Sequence, residues 1–290
     1  MKPRFYIFLL SFFIVACHTH SGDKAQERNS KDTAKKNDTV KDEEKKLKNT
    51  MVIHSIHDTI AILTDFFSPQ KIVDGIAYWD PPDSDNTDEQ ISSDGLCHSN
   101  IDEIFKIPGD KNDAHLVVFT SYEYDDKGKR EDYHAAEATY DMALLSKDGD
   151  SYTIKNSARS FDMCGCWGNG GTVTLENFGK EYVLHISSGF TGQGYTQIFE
   201  NYFNIHNGEI VFTFQSLDDN SGAYDSTDGS YSSTDENLKP VPDKTGDWDK
   251  LKLLGKKSHF DSISHKMIDS TYSLTYIMNT DSNYYTKTKR

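Results

Sequence analysis

The sequence predicts a mainly β domain built as an antiparallel meander, with one helix near its start. Three observations support this fold class. Short apolar and β-branched segments recur from residue 116 onward, separated by polar turns. Two of these turns, Asp148-Gly149 and Asn207-Gly208, are of the kind that closes a hairpin. Aromatic residues are abundant, whereas long apolar helical stretches are scarce. A curved sheet, a sandwich and a partial propeller all fit this pattern, and no strict repeat separates them.

The single N-terminal helix is predicted over residues 53–67. Apolar residues recur there at steps of three and four, which places them on one helical face. These residues are Ile53, Ile56, Ile60, Leu63 and Phe67. Pro69 should end the helix, because proline cannot continue it. The alternative is a strand with Val52, Ile56, Ile60 and Ile62 on one side.

Strands are predicted wherever an apolar or β-branched segment borders a turn. Turns are expected at residues 125–128, 147–150, 177–180 and 206–209. The predicted strands cover residues 116–124, 139–146, 151–159, 171–176, 182–188, 195–205 and 210–217. Successive hairpins give antiparallel pairing between neighbours along the chain. Residues 218–247 are polar and are predicted to form a long surface loop, with closing strands at 248–254 and 271–279.

Residues 1–16 have the layout of an export signal peptide. Lys2 and Arg4 precede a run over residues 5–15 that is apolar except for Ser11. About 20 apolar residues are needed to cross a membrane, so this run is too short for a spanning helix. It matches the apolar region of a signal peptide that is later removed.

The segment Ile14-Val15-Ala16-Cys17 resembles the lipobox of bacterial lipoproteins. The resemblance implies cleavage before Cys17, a diacylglyceryl group on its sulfur, and acylation of the new amino terminus. Each buried methylene contributes about 0.8 kcal/mol, so two or three acyl chains anchor a protein firmly. His18 follows the cysteine in place of Asp, which favours the outer membrane in a cell with two membranes. An ordinary signal peptide followed by an unmodified cysteine is the alternative.

The segment from Cys17 to residue 50 is predicted to be a lipidated, disordered tether. Val40 and Leu47 are its only large apolar residues after the cysteine, so burial cannot offset the entropy of ordering. Residues 51–290 form the acidic domain, in which 39 acidic and 20 basic residues give a net charge of −19. That charge excludes nucleic acid and anionic lipid as partners of the domain. A cationic partner or a divalent cation remains compatible with it.

Three segments of the domain resemble a group of uncharacterised exported bacterial proteins. They are Tyr133-His134-Ala135-Ala136, Gly189-Phe190-Thr191-Gly192-Gln193-Gly194-Tyr195-Thr196 and Asp219-Asn220-Ser221-Gly222-Ala223. In that group the first segment usually carries a cysteine, whereas this sequence has Tyr133 and Ala136 there, and Tyr224 follows the third segment. The resemblance covers residues 115–280. It implies strands on both sides of the glycine-rich segment and brings no known activity.

Three cysteines, Cys97, Cys164 and Cys166, remain beyond the lipobox. Outside the cytoplasm one disulfide among them would leave an odd thiol. Cys164 and Cys166 are one candidate pair, and either of them with Cys97 is another. Together with His98, the three thiols also have the number and softness of ligands for a tetrahedral zinc site. A disulfide, unpaired thiols and a metal site all stay open.

Two polar turns carry candidate ligand groups. The glycine-rich turn is able to present backbone amides to an anion or a sugar, and a bulged hairpin is its structural alternative. Its candidate residues are Gly189, Thr191, Gly192, Gln193, Gly194 and Tyr195. The Asp-rich stretch provides hard oxygens that suit calcium, namely Asp218, Asn220, Asp225 and Asp228. Gly229 stands where a bidentate Glu would complete a helix-loop-helix calcium loop, and a solvated loop is the alternative.

The sequence contains no nucleophile elbow, zincin motif, Walker loop or dinucleotide fingerprint. The leading hypothesis is therefore a noncatalytic binding or interaction module of the cell envelope. It would be held at the membrane through its lipid anchor, with an envelope protein or a glycan as partner and no required cofactor. One alternative is an envelope hydrolase that uses a carboxylate pair on polysaccharide or peptidoglycan. Another is a lipoprotein that binds calcium or zinc.

Overall fold

The computed structural model describes residues 52–80, 91–92, 94–132, 136–165, 169–224 and 229–288. The chain divides into two units, Met1–Lys46 and Leu47–Arg290, and every described residue lies in the second unit. The predicted signal peptide, Cys17 and the tether lie outside the described residues. Among the described helices, none is long and apolar enough to cross a membrane.

The described residues form two antiparallel sheets and one short helix, which confirms the mainly β prediction. In both sheets every strand pairs with its neighbours in sequence, so each sheet is a continuous meander. The six-stranded sheet contains β1 (Lys71–Val73), β2 (Ile76–Trp79), β3 (Cys97–Lys106), β4 (His115–Tyr122), β5 (Ala138–Asp148) and β6 (Ser151–Cys164). The eight-stranded sheet contains β7 (Thr172–Phe178), β8 (Glu181–Gly192), β9 (Tyr195–Asn204), β10 (Ile210–Asp219), β11 (Ser232–Val241), β12 (Lys250–Asp261), β13 (Lys266–Asn279) and β14 (Tyr284–Lys287).

Helix α1 spans Thr59–Phe67 and begins six residues later than the periodicity predicts. The Asp58 side chain caps its first turn by accepting a hydrogen bond from the Ala61 amide. Residue Ile53 instead forms a β-bridge with Tyr152, which explains the late start. The helix ends before Pro69, as expected. The predicted buried face is wrong at Ile60, which is 55% exposed. The buried residues are Ala61, Ile62, Leu63, Phe66 and Phe67.

The central strands β4 and β5 of the six-stranded sheet are buried on both faces. Successive residues of a strand point to opposite faces, so in β4 Val117 and Phe119 face the helix while Leu116 and Val118 face the other way. The helix covers the first face. The second face packs on β7, β8 and β9 through contacts that include Leu184, Ile186 and Phe203. The layers are therefore helix, sheet and sheet.

The eight-stranded sheet curls enough to enclose a core of its own. Phe178 and Phe212 from its first half share a buried cluster with Leu251 and Tyr285 from its second half. The backbone also closes part of this curl, because the Asp249 amide donates to the Phe178 carbonyl at 3.1 Å. This core ends well short of the outer ends of β11, β12 and β13.

The prediction of one continuous polar loop over residues 218–247 is wrong, because β11 occupies ten of these thirty residues. Strand β11 pairs with β12 at every position from Ser232 to Val241. All of its side chains are exposed or only half-buried, and the sequence shows no apolar alternation to indicate a strand. Strands β1, β2, β3 and β14 were also not predicted. The first two and the last are short, and β3 becomes charged and exposed after Ile101.

Candidate functional site

Three turns of the eight-stranded sheet lie at one end, which we call the hairpin end. They connect β8 to β9, β10 to β11 and β12 to β13. Pairing of Thr191 with Thr196 and of Asp219 with Thr196 aligns the first two turns. Pairing of Ser232 with His259 aligns the third. Two segments that are separate in sequence, the glycine-rich turn and the start of the Asp-rich stretch, therefore meet here.

The glycine-rich turn approaches its own chain closely. Gln193 and Gly194 form the turn with φ angles of 53° and 85°, and Gly189, Thr191 and Gly192 lie in β8. The Gly194 carbonyl accepts a hydrogen bond from the Gly222 amide at 3.1 Å. A Cβ at Gly194 would lie 2.2 Å from the Ala223 nitrogen. The Tyr195 hydroxyl also donates to the Tyr224 hydroxyl at 3.3 Å. Glycine here permits contact between two hairpins.

The described half of the proposed calcium set is engaged in internal hydrogen bonds. Asp218 accepts from the Gln197 amide group at 3.2 Å. The Asn220 side chain accepts from the Ser232 amide at 2.8 Å and donates to the Ser230 carbonyl at 2.8 Å. Asp225 and Asp228 lie outside the described residues. In the part of the chain that the structure describes, no three His, Cys, Asp or Glu side chains are arranged to hold a metal ion.

Cys97 and Cys164 are free thiols on opposite faces of the six-stranded sheet. Cys97 belongs to the core under the helix and Cys164 to the core between the sheets. Burial raises the pKa of each thiol to about 12, so both are neutral at physiological pH. His98 turns away from Cys97 and lies 3.0 Å from the Asp94 carboxylate. Cys166 lies outside the described residues.

One imidazole of the eight-stranded sheet lies between two carboxylates, and the three side chains come from three neighbouring strands. His185 on β8 is 2.9 Å from Glu176 on β7 through Nδ1 and 2.7 Å from Glu200 on β9 through Nε2. Its ring stacks on Tyr202 at 4.4 Å. Burial opposes the charge of the ring, but the two carboxylates outweigh it and raise the pKa of His185 to about 9. Both ring nitrogens of His185 already have a carboxylate partner, one on each edge of the ring, so the protonated ring is a structural cation here.

A second cation lies on the helix side of the six-stranded sheet. Opposite Asp141, β6 carries an irregularity, because Tyr140 pairs with Asp162 while Met142 pairs with Ala158. Arg159 projects from this bulge into three rings, which we call the aromatic cage. The cage consists of Phe66, Phe67 and Trp79, at 3.8, 4.4 and 5.2 Å from the guanidinium carbon. The same guanidinium donates to the Phe66 carbonyl at the end of the helix.

Asp141 is completely buried and lies close enough to Arg159 in the cage for the two charges to interact. Its Oδ1 accepts a hydrogen bond from the Ser160 amide at 2.8 Å and so holds the bulge. Its Oδ2 has no hydrogen-bond partner among the described residues. Burial raises the pKa of Asp141 to about 6, although the Arg159 charge and the Ser160 amide partly offset this. The sequence gives no signal for this arrangement, because it depends on the bulge and on strand register.

The outer half of β13 forms an exposed sheet edge. Strand β14 pairs only with residues 276–279 of β13, so among the described strands nothing pairs with the outer side of residues 266–274. Residues 266–271 are exposed throughout. Met267 and Ile268 are 42% and 39% exposed, and Ile263 in the preceding turn is 90% exposed. An unpaired strand edge with exposed apolar side chains is a surface for contact with another chain.

Comparison with known proteins adds no assignment: no protein family, no curated protein and no solved structure matches the chain.

Proposed function

We propose that this protein is a lipid-anchored, noncatalytic interaction module of the bacterial cell envelope. Its partner is an extended segment of another envelope protein, which adds as a strand to the free edge of β13. The observation that carries this proposal is the uncovered strand edge at residues 266–274, where Met267 and Ile268 are exposed. The lipobox-like segment that ends at Cys17 supports the anchor, and a polar tether over residues 18–50 would supply reach from the membrane surface.

The edge has the properties that strand addition requires. Its backbone donors and acceptors on the outer side are available to an incoming strand, and hydrogen bonds of this kind supply affinity. Side chains such as Met267 and Ile268 alternate between the two faces and supply contacts that select the partner sequence. Folded proteins usually cover or charge such an edge to prevent unwanted pairing. This edge is uncovered, and its few charges are interleaved with the exposed apolar side chains of Met267 and Ile268, which favours a specific partner over indiscriminate pairing.

Charge favours a different chain over a second copy. The domain has a net charge of −19, so two copies repel each other. Locally, residues 256–271 carry Lys256, Lys257 and Lys266 against two aspartates. A neutral or acidic segment can therefore approach this edge more easily than it can approach the rest of the domain.

The docking proposal can be tested by photocrosslinking in intact cells. A benzoylphenylalanine at position 268 should give a discrete adduct after irradiation, and Met267→Lys should abolish it by placing a charge at the edge. Ile277 is the matched control, because it is 41% exposed on the same strand but lies where β14 covers the edge. Equal adducts from positions 268 and 277, or an adduct indifferent to Met267→Lys, would refute docking at this edge.

The anchor is tested separately. Cys17→Ser should move the full chain from the membrane fraction to the soluble fraction and remove the mobility shift caused by acyl groups. A Cys17→Ser protein that still fractionates with membranes would refute lipid anchoring without bearing on the β13 edge.

A further inference from the structure

We propose a second binding site, independent of the β13 edge, in which the aromatic cage binds the guanidinium or ammonium group of a cationic ligand. Arg159 is the internal cation that occupies this cage until the ligand displaces it.

The cage surrounds a cation on several sides. The Phe66 and Phe67 rings are 4.8 Å apart and nearly perpendicular, and the Phe67 and Trp79 rings are 5.0 Å apart and tilted by 37°. All three ring centroids lie within the range of about 6 Å at which a cation is attracted to a ring face. The Phe66 carbonyl adds a hydrogen-bond acceptor at the C-terminal end of the helix, where the helix dipole is negative. These groups together select a cation that also donates hydrogen bonds.

The buried carboxylate is the second, independent observation. Asp141, Ala143 and Leu145 alternate along β5 and point to the helix side of the sheet. Asp141 has no exposed surface, and its Oδ2 is without a hydrogen-bond partner among the described residues. A buried acceptor left unpaired is costly, and a carboxylate beside an aromatic cage attracts positive charge. Arg159 uses the cage and the Phe66 carbonyl but leaves this oxygen without a donor.

Arg159 is placed so that it can leave. The residue as a whole is exposed and sits on a bulge, so its side chain enters the cage from the surface. Rotation of that side chain outward leaves the paired parts of β5 and β6 intact. The rings themselves stay in place because they belong to the core under the helix. The alternative is that Arg159 is only a clamp, which holds the helix to the sheet. It would then have the same contacts in the absence of ligand, but no ligand would displace it.

Competition with Arg159 sets the size of the expected effect. A ligand binds only the fraction of molecules whose cage is open, so the apparent affinity falls by that fraction. If the Arg159 side chain is outside the cage in about 5% of the molecules, removing this side chain should tighten ligand binding ~20-fold. The net charge of −19 on the domain raises the local concentration of cations and assists the ligand.

The test uses methylguanidinium chloride as probe and the full chain in a neutral detergent, with sodium chloride at equal ionic strength as the salt control. Titration is followed by tryptophan fluorescence, and Trp79→Phe identifies the signal from the cage. The wild type should show weak but saturable binding. Arg159→Gln should bind at least tenfold more tightly, and Arg159→Gln with Asp141→Asn should lose most of that gain.

Lys155→Gln is the matched control, because it removes one positive charge from an exposed position on the same strand. Its affinity should equal that of the wild type. If Arg159→Gln fails to fold, Arg159→Thr suits a strand position, is too short to reach the rings, and carries the same expectation. Absence of saturable binding to the wild type would show that Arg159 is only a clamp. Equal gains in affinity from Arg159→Gln and Lys155→Gln would show that the gain comes only from the change in net charge. Either result overturns the proposal.

Discussion

The cation between Glu176 and Glu200 should make the stability of the domain depend on pH above neutrality. The pKa of His185 is raised from 6.5 to about 9 in the folded chain. Because the folded pKa is higher than the unfolded one, the stabilisation is fully present below pH 6.5. It is lost as the pH rises through 9. Deprotonation leaves two carboxylates facing a neutral ring inside a region that is mostly buried.

The magnitude follows from the proton balance. Between pH 6.5 and 9 the folded chain holds about one proton more than the unfolded chain at His185. The free energy of unfolding should therefore fall by about 1.4 kcal/mol per pH unit, and by about 3 kcal/mol in all. His185 and Glu200 are only 14% and 13% exposed, so solvent screening reduces this figure less than at a surface pair.

The assay is urea unfolding at pH 6.5, 8 and 9.5 for the wild type and His185→Gln. Other groups also titrate in this range, so the informative quantity is the difference between the two pH profiles. The wild type should lose about 2–3 kcal/mol more than His185→Gln across the range. His259→Gln, at an exposed histidine of the same sheet, should follow the wild type. Parallel profiles for the wild type and His185→Gln would refute the assignment of His185 as a buried cation.

Two further predictions concern the hairpin end. Gly194→Ala should destabilise the domain by about 2–4 kcal/mol, because it combines a positive φ of 85° with a Cβ 2.2 Å from the Ala223 nitrogen. Gly149→Ala, with a positive φ but open space around it, should cost only about 1 kcal/mol in the same denaturation assay; equal costs would contradict the packing argument. Adding a calcium chelator to the full chain should shift the melting temperature by less than about 1 °C, because Asp218 and Asn220 already have internal partners. A large drop on chelation would contradict this expectation and show that a bound ion stabilises the fold.

The strands that could be predicted are those with a strong local signal. Hairpins at Asp148-Gly149 and Asn207-Gly208 combine a turn that tolerates positive φ with apolar strands on both sides, and both glycines do have positive φ. Strand β11 lacks that signal because its partner β12 supplies the hydrogen bonds while few of its side chains are buried. The predicted start of helix α1 is too early because Ile53 belongs to a β-bridge and not to the helical repeat, and within the helix the predicted buried face is wrong only at Ile60.

The candidate sites were less predictable than the fold, since each depends on which strands are neighbours. Glu176, His185 and Glu200 are separated by nine and fifteen residues, and only the register of β7, β8 and β9 aligns them. Arg159 meets Phe66 across 93 positions of sequence. The sequence did identify the glycine-rich turn and the Asp-rich stretch as unusual. It gave no indication that Gly194 and Gly222 touch.

The order of strands in the two sheets has a consequence for how the chain matures. Since every strand joins the one made just before it, a polypeptide delivered amino end first can complete the six-stranded sheet without waiting for distant partners, and such local pairing is fast. One face of that early sheet, which includes Leu116, Val118 and Met142, remains exposed to solvent until β7, β8 and β9 form and cover it. A nascent chain that ends after Cys164 should therefore be prone to aggregation through this apolar face. Chaperones that bind unfolded polypeptides should be needed most during the synthesis or delivery of residues 165–204.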